Sequence, residues 1–275
     1  MGNHREPLQI DVDKIISSKS EKLAKRVPRF IINYIKRIIH QDELNDILKR
    51  HTSITGVEFA HAMVKEFDIH FNVHLNTKLD PDKRYVFVSN HPLGGMDGVV
   101  LISYLGKIFD NKVKFVVNDL LMHIEPLTPV FVPVNKYGKM KHNSSNVFNE
   151  AFTSENQILY FPAGLCSRLI GKEIKDLEWK KTFVSKAIET NRDIVPMYFS
   201  GKNSNFFYRL ANIRKRLGIK FNVETIFLPD EMFKNKGNHF DLYIGEPISH
   251  SQLTNGTSPK EWCKIIREKC YNLPK

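Results

Sequence analysis

The chain has 275 residues, of which 41% are hydrophobic and 26% are charged, and its formal net charge at pH 7 is +11. This length and composition predict a folded protein of one or two domains and exclude disorder as its main property. Because no stretch approaches about 18 uncharged apolar residues, the sequence predicts no helix that crosses a bilayer. The positive charge indicates an anionic partner, such as nucleic acid, anionic lipid or a phosphorylated substrate, or simply a basic, solvated surface.

The cysteines and the first ten residues indicate the compartment. Three cysteines are an odd number without the spacing of a metal site, so they favour a reducing cytoplasm and give no support for zinc. The first ten residues lack the apolar centre of a secretory signal. Glu6 stands where a myristoylation signal needs Ser or Thr. We therefore expect a cytoplasmic protein without lipidation and without a metal.

Basic residues concentrate between residues 14 and 37, where eight Lys and Arg residues stand against one Glu. Pro28 suits the first turn of a helix, because the amide that it lacks would have no partner there. The isoleucines after it fall on one apolar face, namely Ile31, Ile32, Ile35, Ile38 and Ile39. Such a helix can lie in the headgroup layer of a membrane or pack on the core of the protein, and one helix can do both. We expect residues 1–78 to form a helical, membrane-associating segment ahead of a domain at 79–275.

The predicted elements before residue 79 are helical except for one strand. Helices are expected from residue 11 to about 27, from Pro28, at 44–48 and at 57–67. Residues 68–73 alternate between apolar and polar side chains, which predicts a half-exposed strand. His70 and His74 lie about 13 Å apart along such a strand, since each residue rises ~3.3 Å, so they cannot share a metal.

After a turn at residues 79–83, short apolar strands alternate with helices. Strands are predicted at residues 85–89, 113–117, 130–134, 157–161, 194–199, 222–227 and 239–244. Helices are predicted near residues 98–109, 145–154, 177–190, 204–217 and 258–270. This alternation is typical of an α/β fold, a mixed and largely parallel sheet with helices on both faces. Such sheets carry their sites in the loops that leave the strand ends.

A glycine-rich loop with the sequence NHPLGGMD follows the first of these strands, at the start of a predicted helix. It contains His91 and Asp97. A histidine accepts a proton near neutral pH, and a carboxylate on its other nitrogen fixes the tautomer and stabilises the imidazolium. Gly94 and Gly95 allow a tight turn and expose amides that can stabilise an oxyanion. The simpler interpretation is a helix cap at Asp97 beside a surface histidine.

A second loop, FPAGLCSR, follows the strand at 157–161 and ends at Arg168. The planar guanidinium group of an arginine suits a phosphate or a carboxylate. By itself this loop is equally compatible with an ordinary turn and a solvated arginine.

Together the two loops resemble the lysophospholipid-type acyltransferase superfamily, whose members acylate glycerophosphate, lysophosphatidate and related hydroxyl lipids. His91 and Asp97 match the first motif of that family. Its later motif, Phe-Pro-Glu-Gly with a following Ser- or Arg-containing turn, is matched by Phe161, Pro162, Gly164, Ser167 and Arg168. Residues 195–197 and 243–248 resemble two further strands of the family. The likeness covers residues 80–250.

The resemblance implies an acyltransferase-type fold and a reaction without a cofactor, a metal or a covalent intermediate. It makes His91 the base and Asp97 its partner. It assigns Asn90, Gly94 and Gly95 to loop support or oxyanion binding. It assigns substrate binding to Lys136 together with the matched residues of the second motif. The acyl donor is a thioester of acyl carrier protein or coenzyme A. The implied partners are the carrier protein, the lipid acceptor and the anionic inner face of the cell membrane.

This chain departs from the broad family at three points. The histidine and the aspartate are separated by one residue more than usual, Ala163 replaces the usual glutamate, and Asn135 and Lys136 stand where an arginine is usual. The two loops resemble a bacterial haemolysin-like branch that includes O-acyltransferases of ornithine and glycine lipids. We therefore expect an N-(3-hydroxyacyl) amino-acid lipid as acceptor. A 1-acylglycerol-3-phosphate acceptor stays open if Lys136 or Lys139 replaces the arginine.

Two functions of other classes are less well supported. Residues 68–70 and His91 resemble fragments of a binuclear metallophosphatase site, but the further ligands that such a site needs are missing. Residues 202–220 combine basic and aromatic side chains, as in proteins that stack nucleic-acid bases. Helical spacing instead predicts a stripe that faces the core, formed by Phe206, Leu210, Ile213 and Leu217. Nucleic acid is therefore not an expected partner.

Overall fold

The computed structural model describes residues 9–19, 27–134 and 142–274. Its strands are β1 (His70–Leu75), β2 (Tyr85–Ser89), β3 (Val113–Asn118), β4 (Phe131–Val134), β5 (Gln157–Tyr160), β6 (Arg168–Ile170), β7 (Glu173–Lys175), β8 (Asp193–Phe199) and β9 (His239–Ile244). Its helices are α1 (Val12–Lys19), α2 (Arg29–Ile38), α3 (Gln41–Arg50), α4 (Gly56–Glu66), α5 (Met96–Ile108), α6 (His142–Thr153), α7 (Thr182–Glu189), α8 (Asn205–Arg216), α9 (Leu228–Lys234), α10 (His250–Leu253) and α11 (Pro259–Asn272). None of the helices in these ranges is long and apolar enough to span a bilayer.

Seven strands form one sheet in the order β1-β9-β8-β2-β5-β3-β4. Neighbouring strands are parallel, except that β8 and β9 are antiparallel. Strands β6 and β7 form a separate antiparallel hairpin. Helices cover both faces of the large sheet, so the predicted fold class, a mixed and largely parallel sheet flanked by helices, is confirmed.

The central strand β2 shows why the sheet is covered on both sides. All five of its residues are buried, as expected for a strand within a parallel sheet. Successive side chains of a strand point to opposite faces. Tyr85 and Phe87 accordingly enter one core cluster, with residues of α4 and α5. Val86 and Val88 enter the other, with residues of α6, α7 and α11.

The N-terminal elements share the first of these cores. Helix α4 packs so closely on α5 that a Cβ atom at Gly106 would lie 2.3 Å from Cγ1 of Val57. Strand β1 pairs with β9 in the main sheet and has the expected half-exposed pattern. The predicted boundary between residues 78 and 79 therefore falls inside one continuous sheet and core.

Helix α2 packs on the rest of the protein through only part of its apolar residues. Ile32 and Ile38 are buried, whereas Phe30, Ile31 and Tyr34 are exposed. The basic side chains of Lys22, Lys25 and Arg26 lie outside the described residues, as does the rest of the segment predicted to continue the first helix.

The strand predicted at residues 222–227 is wrong. Val223–Phe227 is a 3-10 helix that leads into α9. Its residue Glu224 is buried and pairs with two arginines, Arg168 and Arg214. The turn places this carboxylate between them, which an extended strand in the sheet would not do.

The core-facing stripe predicted for α8 is also wrong. Phe206, Ile213 and Leu217 are 49%, 56% and 68% exposed. The buried residues of this helix are Phe207, Tyr208 and Ala211. Phe207 and Tyr208 form a small core with Cys166 of the second loop, so the helix packs on that loop through the face opposite to the predicted stripe.

Candidate active site

The two loops meet because the strands that precede them are neighbours. Strands β2 and β5 are parallel and adjacent, so their carboxyl ends lie at the same edge of the sheet. The loops that follow them are joined directly, since the amide of Ser167 donates a hydrogen bond to the carbonyl of His91 at 2.7 Å.

His91 and Asp97 form the pair that the sequence predicted. Nδ1 of His91 lies 2.9 Å from Oδ2 of Asp97. The Asp97 carboxylate is fully buried and also accepts the amides of Leu93, at 3.0 Å, and Gly98, at 2.9 Å. Because Asp97 is an acceptor, Nδ1 of His91 is its donor, and the lone pair of the neutral imidazole lies on Nε2. The His91 side chain is 15% exposed, whereas Asp97 is fully buried behind it.

Phe161 of the second loop holds the imidazole from one side. Its ring stacks on that of His91, with the centroids 4.0 Å apart and the planes 19° apart. Phe115 contacts Phe161 edge-on at 5.3 Å. With one edge bonded to Asp97 and one face on Phe161, the imidazole has a fixed orientation.

Asp176 is a buried residue at this site that sequence reasoning missed. Its Oδ1 accepts the amide of His91 at 3.2 Å and the hydroxyl of Ser167 at 2.6 Å. Its Oδ2 accepts Nε1 of Trp179 at 2.8 Å. Burial raises the pKa of this carboxyl, against the opposing effect of these donors. Asp176 therefore holds both loops at a common point.

No motif in the sequence indicates Asp176, which lies just before the helix predicted at residues 177–190. That helix begins only at Thr182. The segment before it is irregular and carries Trp179 to the Asp176 carboxylate.

Asn90 has a supporting position. Its side-chain amide donates to the carbonyl of Phe199 at 2.9 Å, and its oxygen accepts the Phe199 amide at 2.7 Å. The side chain thus fastens the start of the first loop to the end of β8.

The two glycines of the first loop have different surroundings. Gly94 has a φ of +79°, and a Cβ atom there would lie 2.7 Å from Cδ2 of Leu228, so only glycine fits without strain. A Cβ atom at Gly95 would meet nothing within 4 Å. No described residue accepts a hydrogen bond from either amide, and both amides lie where α5 begins.

Arg168 is buried and already paired. Its guanidinium bonds Glu224 at 2.8 Å and the carbonyl of Cys166 at 2.6 Å. Glu224 also lies 2.8 Å from Nε of Arg214. These contacts tie α8 and the 3-10 helix to the second loop. The substrate-binding role of Arg168 stays a prediction, and in the structure this residue holds the second loop.

The other residues of the second motif shape its turn. Gly164 has a φ of +66° and donates its amide to the carbonyl of Phe161. The carbonyl of Pro162 accepts the amide of Lys180. Ala163 is buried in the second core cluster, so a side chain at this position faces the core. Lys136 and Asn135 lie outside the described residues.

The described residues contain no candidate metal site, and their most prominent groove lies apart from the dyad. No group of three or more His, Cys, Asp and Glu residues is placed to hold a metal ion. A groove of about 910 Å³ lies beside α4 and the end of α5, with His51, His61 and Lys107 among its lining residues. Because α5 starts at the dyad and its far end lines the groove, the groove is away from His91.

Comparisons with known proteins place the chain in a family. It matches the model of an acyltransferase family over residues 14–275. It is 47% identical over 264 residues to a protein of Phocaeicola vulgatus named lyso-glycine lipid O-acyltransferase, covering 96% of this chain and 95% of the relative. A protein of the same name from Bacteroides thetaiotaomicron is 45% identical, with coverages of 96% and 97%.

Among solved structures, a 1-acyl-sn-glycerophosphate (LPA) acyltransferase, PlsC, from Thermotoga maritima is similar at a TM-score of 0.46 and 14% identity, over 89% of this chain and 92% of that one. The family match includes both loops and extends over nearly the whole sequence. The chain therefore belongs to this acyltransferase family.

Proposed function

We propose that the protein transfers a fatty acyl group from a thioester to the 3-hydroxyl group of an N-(3-hydroxyacyl) glycine, which is a lyso-glycine lipid. The His91–Asp97 pair carries the chemical part of the proposal, because it provides a base with a fixed tautomer. The two relatives named lyso-glycine lipid O-acyltransferase support the choice of acceptor.

The proposed reaction needs one proton acceptor. Nε2 of His91 takes the proton of the acceptor hydroxyl while its oxygen attacks the thioester carbonyl carbon. The C–S bond then breaks, and the leaving thiolate takes the proton back from the imidazolium. Asp97 stabilises the imidazolium in between, and base catalysis of this kind contributes about 10²–10⁴-fold. The amides of Gly94 and Gly95, which have no acceptor among the described residues, are the proposed oxyanion donors.

The arrangement of the second loop supports an acceptor without phosphate. A phosphate group needs several fixed donors. Arg168 is occupied by Glu224, and the side chain of Ala163 faces the core. In this proposal Arg168 positions the loop and does not itself bind the acceptor headgroup.

A side-by-side assay tests the acceptor. Purified enzyme is offered N-(3-hydroxyacyl) glycine and lysophosphatidate, each with a thioester of acyl carrier protein and of coenzyme A, and products are quantified by mass spectrometry. We expect acylation of the glycine lipid, and none by His91→Ala. Preference for lysophosphatidate would overturn the acceptor while leaving the base in its role. The donor that gives the higher kcat/KM identifies the co-substrate.

We also propose that the protein works at the inner face of an anionic membrane, attached through α2. The exposed side of this helix presents Phe30, which is 73% exposed, together with Ile31, Tyr34 and Arg37. A helix with exposed apolar and basic side chains binds the headgroup region. Co-sedimentation with vesicles should decrease for Phe30→Ser with Arg37→Glu. The control pair, Ile108→Ser with Lys107→Glu, lies at the other end of α5 from the dyad and should bind normally.

A further inference from the structure

A second surface with exposed apolar and basic side chains lies on α8 and the residues after it, and we call it the α8 surface. Its exposed apolar residues are Phe206, Ile213, Leu217, Ile219 and Phe221. Its exposed basic residues are Lys202, Arg209, Lys215, Arg216 and Lys220. Leu217 and Phe221 are 68% and 65% exposed, although large apolar side chains favour burial.

The backbone that carries this surface is fixed. The hydroxyl of Ser204 caps α8 by accepting the amide of Phe207, whose side chain is fully buried. At the other end of the helix, Arg214 pairs with Glu224 and donates to the carbonyl of Ile219. The exposed apolar residues are therefore displayed on an anchored helix and are not the result of a loose end.

The charge of this surface has one sign. Residues 202–221 contain six basic residues and no acidic residue. Within the described part of the chain, Arg214 is the one basic residue of the six that forms a salt bridge, which leaves five cations without a carboxylate partner. Such a surface complements a layer of anionic headgroups.

The α8 surface is attached to the edge of the sheet that carries the two loops, at the carboxyl ends of β2 and β5. Helix α8 begins six residues after the end of β8, which is the neighbour of β2, and Glu224 links it to Arg168 in the second loop. Helix α9 connects the α8 surface to the end of α2. Ser204, at the start of α8, donates hydrogen bonds to Glu231 of α9. His40, which follows α2, stacks on Phe233 of α9 at 4.0 Å and lies 3.2 Å from Asp230.

We propose that the α8 surface is a membrane-contact surface for an anionic phospholipid bilayer. The five apolar side chains enter the headgroup region, and the five basic side chains bind lipid phosphates. Together with α2 this contact holds the His91 edge against the lipid layer, so that a lipid acceptor reaches the base while its acyl chains stay in the bilayer. This inference rests on the proposed function only in that the acceptor is a lipid.

The amount of exposed apolar surface favours a bilayer over an acidic protein or a nucleic acid. Charge alone suffices to attract the latter two, whereas large aliphatic and aromatic side chains interleaved with cations suit insertion among lipids. Bases of nucleic acids stack on aromatic rings. The ring of Phe206 already contacts Phe227 edge-on at 5.1 Å, and the aliphatic side chains of Ile213 and Leu217 have no ring on which a base can stack.

The experiment is flotation of the full-length protein with phosphatidylglycerol vesicles and, separately, with phosphatidylcholine vesicles. One variant removes charge and the other removes apolar surface. They are the triple substitution Lys215→Glu, Arg216→Glu, Lys220→Glu and the double substitution Leu217→Ser, Phe221→Ser.

The controls lie at the opposite, amino edge of the sheet, where α5 ends and β3 begins. They reverse two exposed charges and remove one exposed apolar side chain. These controls are Lys107→Glu with Lys112→Glu, and separately Ile108→Ser.

We expect each α8 variant to lose about ten-fold or more in partition onto phosphatidylglycerol vesicles, with the controls unchanged, because each basic residue near an anionic surface contributes to binding. Both α8 variants should keep wild-type turnover of a detergent-dispersed acceptor. Unchanged vesicle binding in both variants overturns the inference. So does unchanged vesicle binding together with a raised KM for the carrier-protein thioester, which assigns the surface to the carrier protein. Unchanged vesicle binding with a lost gel shift of DNA also overturns it.

The detergent assay separates this inference from the proposed function. If the wild type acylates no lyso-glycine lipid in detergent, the proposed acceptor fails, whatever the vesicles show. If it does acylate this lipid and the α8 variants bind vesicles normally, the membrane-contact surface alone is wrong.

Discussion

Replacement of Asp97 by Asn tests the dyad most directly, because the structure shows what the substitution does to each hydrogen bond. The Oδ2 atom of the carboxylate accepts from His91 and Leu93, and Oδ1 accepts from Gly98. An asparagine keeps one acceptor oxygen and places an NH₂ group at the other position. At least one buried backbone amide then faces a donor.

The energetic cost follows from this geometry. If the Asn oxygen takes the Oδ2 position, the amide of Gly98 loses its partner, which lowers the free energy of unfolding by about 1–3 kcal/mol. If it takes the Oδ1 position, His91 and Leu93 both lose their acceptor and the imidazole loses its fixed tautomer. In either orientation a neutral amide does not stabilise the imidazolium. We therefore expect kcat to fall by about 10²–10⁴-fold, in the range of base catalysis.

The assay is steady-state acylation of the lyso-lipid, with urea unfolding of the same samples to separate loss of rate from loss of fold. Because Asp97 acts through His91, the double variant His91→Ala, Asp97→Asn should be no slower than His91→Ala alone. Ser103→Ala is the control on the same helix, since its hydroxyl contacts His61 away from the dyad. A folded Asp97→Asn enzyme with wild-type kcat, or a double variant slowed by the product of both effects, would refute the dyad.

Three further predictions concern the surroundings of the dyad. Because burial raises the pKa of Asp176 above its ordinary value, its contribution to stability is lost as pH rises through the raised folded-state pKa. In urea unfolding experiments, the free energy of unfolding of the wild type should therefore rise relative to that of Asp176→Asn as the pH is lowered from 7 to 4. A difference between the two proteins that does not change with pH contradicts this prediction. Gly94→Ala should lower Tm, since it adds a clash at positive φ, whereas Gly95→Ala should keep Tm and reduce turnover by filling space for substrate. Equal loss of Tm in both would show that Gly95 is also structural. Thiol reagents should label the folded protein slowly at pH 8 and leave its activity intact, because burial raises the pKa of the Cys166 and Cys263 thiols to about 11. Rapid inactivation of folded enzyme by N-ethylmaleimide contradicts that prediction. The cysteines are all buried, namely Cys166, Cys263 and Cys270.

The sheet and the dyad could be predicted because their signals are local. A run of buried-type residues predicted β2, and the loop after it contains both His91 and Asp97 within seven residues. The second loop follows a similar strand, and parallel strands that are neighbours bring their carboxyl ends together.

The features that could not be predicted depend on residues far apart in the sequence. Residues 222–227 contain β-branched and aromatic residues that favour a strand, but the buried pair between Glu224 and Arg168 forms on a 3-10 helix there. Helix α8 carries apolar residues on two faces, so periodicity alone cannot say which face, that of Phe206 or that of Phe207, is buried. Asp176 has no motif, and its partners come from both loops.

Ser167 donates a backbone hydrogen bond to His91, and Asp176 accepts hydrogen bonds from both residues. This arrangement has a consequence for enzyme engineering. Under the proposed function, the second loop is a target for altering acceptor selectivity, and it lies about seventy residues from the base in the sequence. In space, however, the two loops are one mechanical unit. A loop transplanted from an enzyme with another acceptor moves the imidazole unless the residue at position 176 is transplanted with it. We therefore expect exchanges of this loop to alter selectivity and rate together, so chimaeras should exchange residues 161–176 as a single segment.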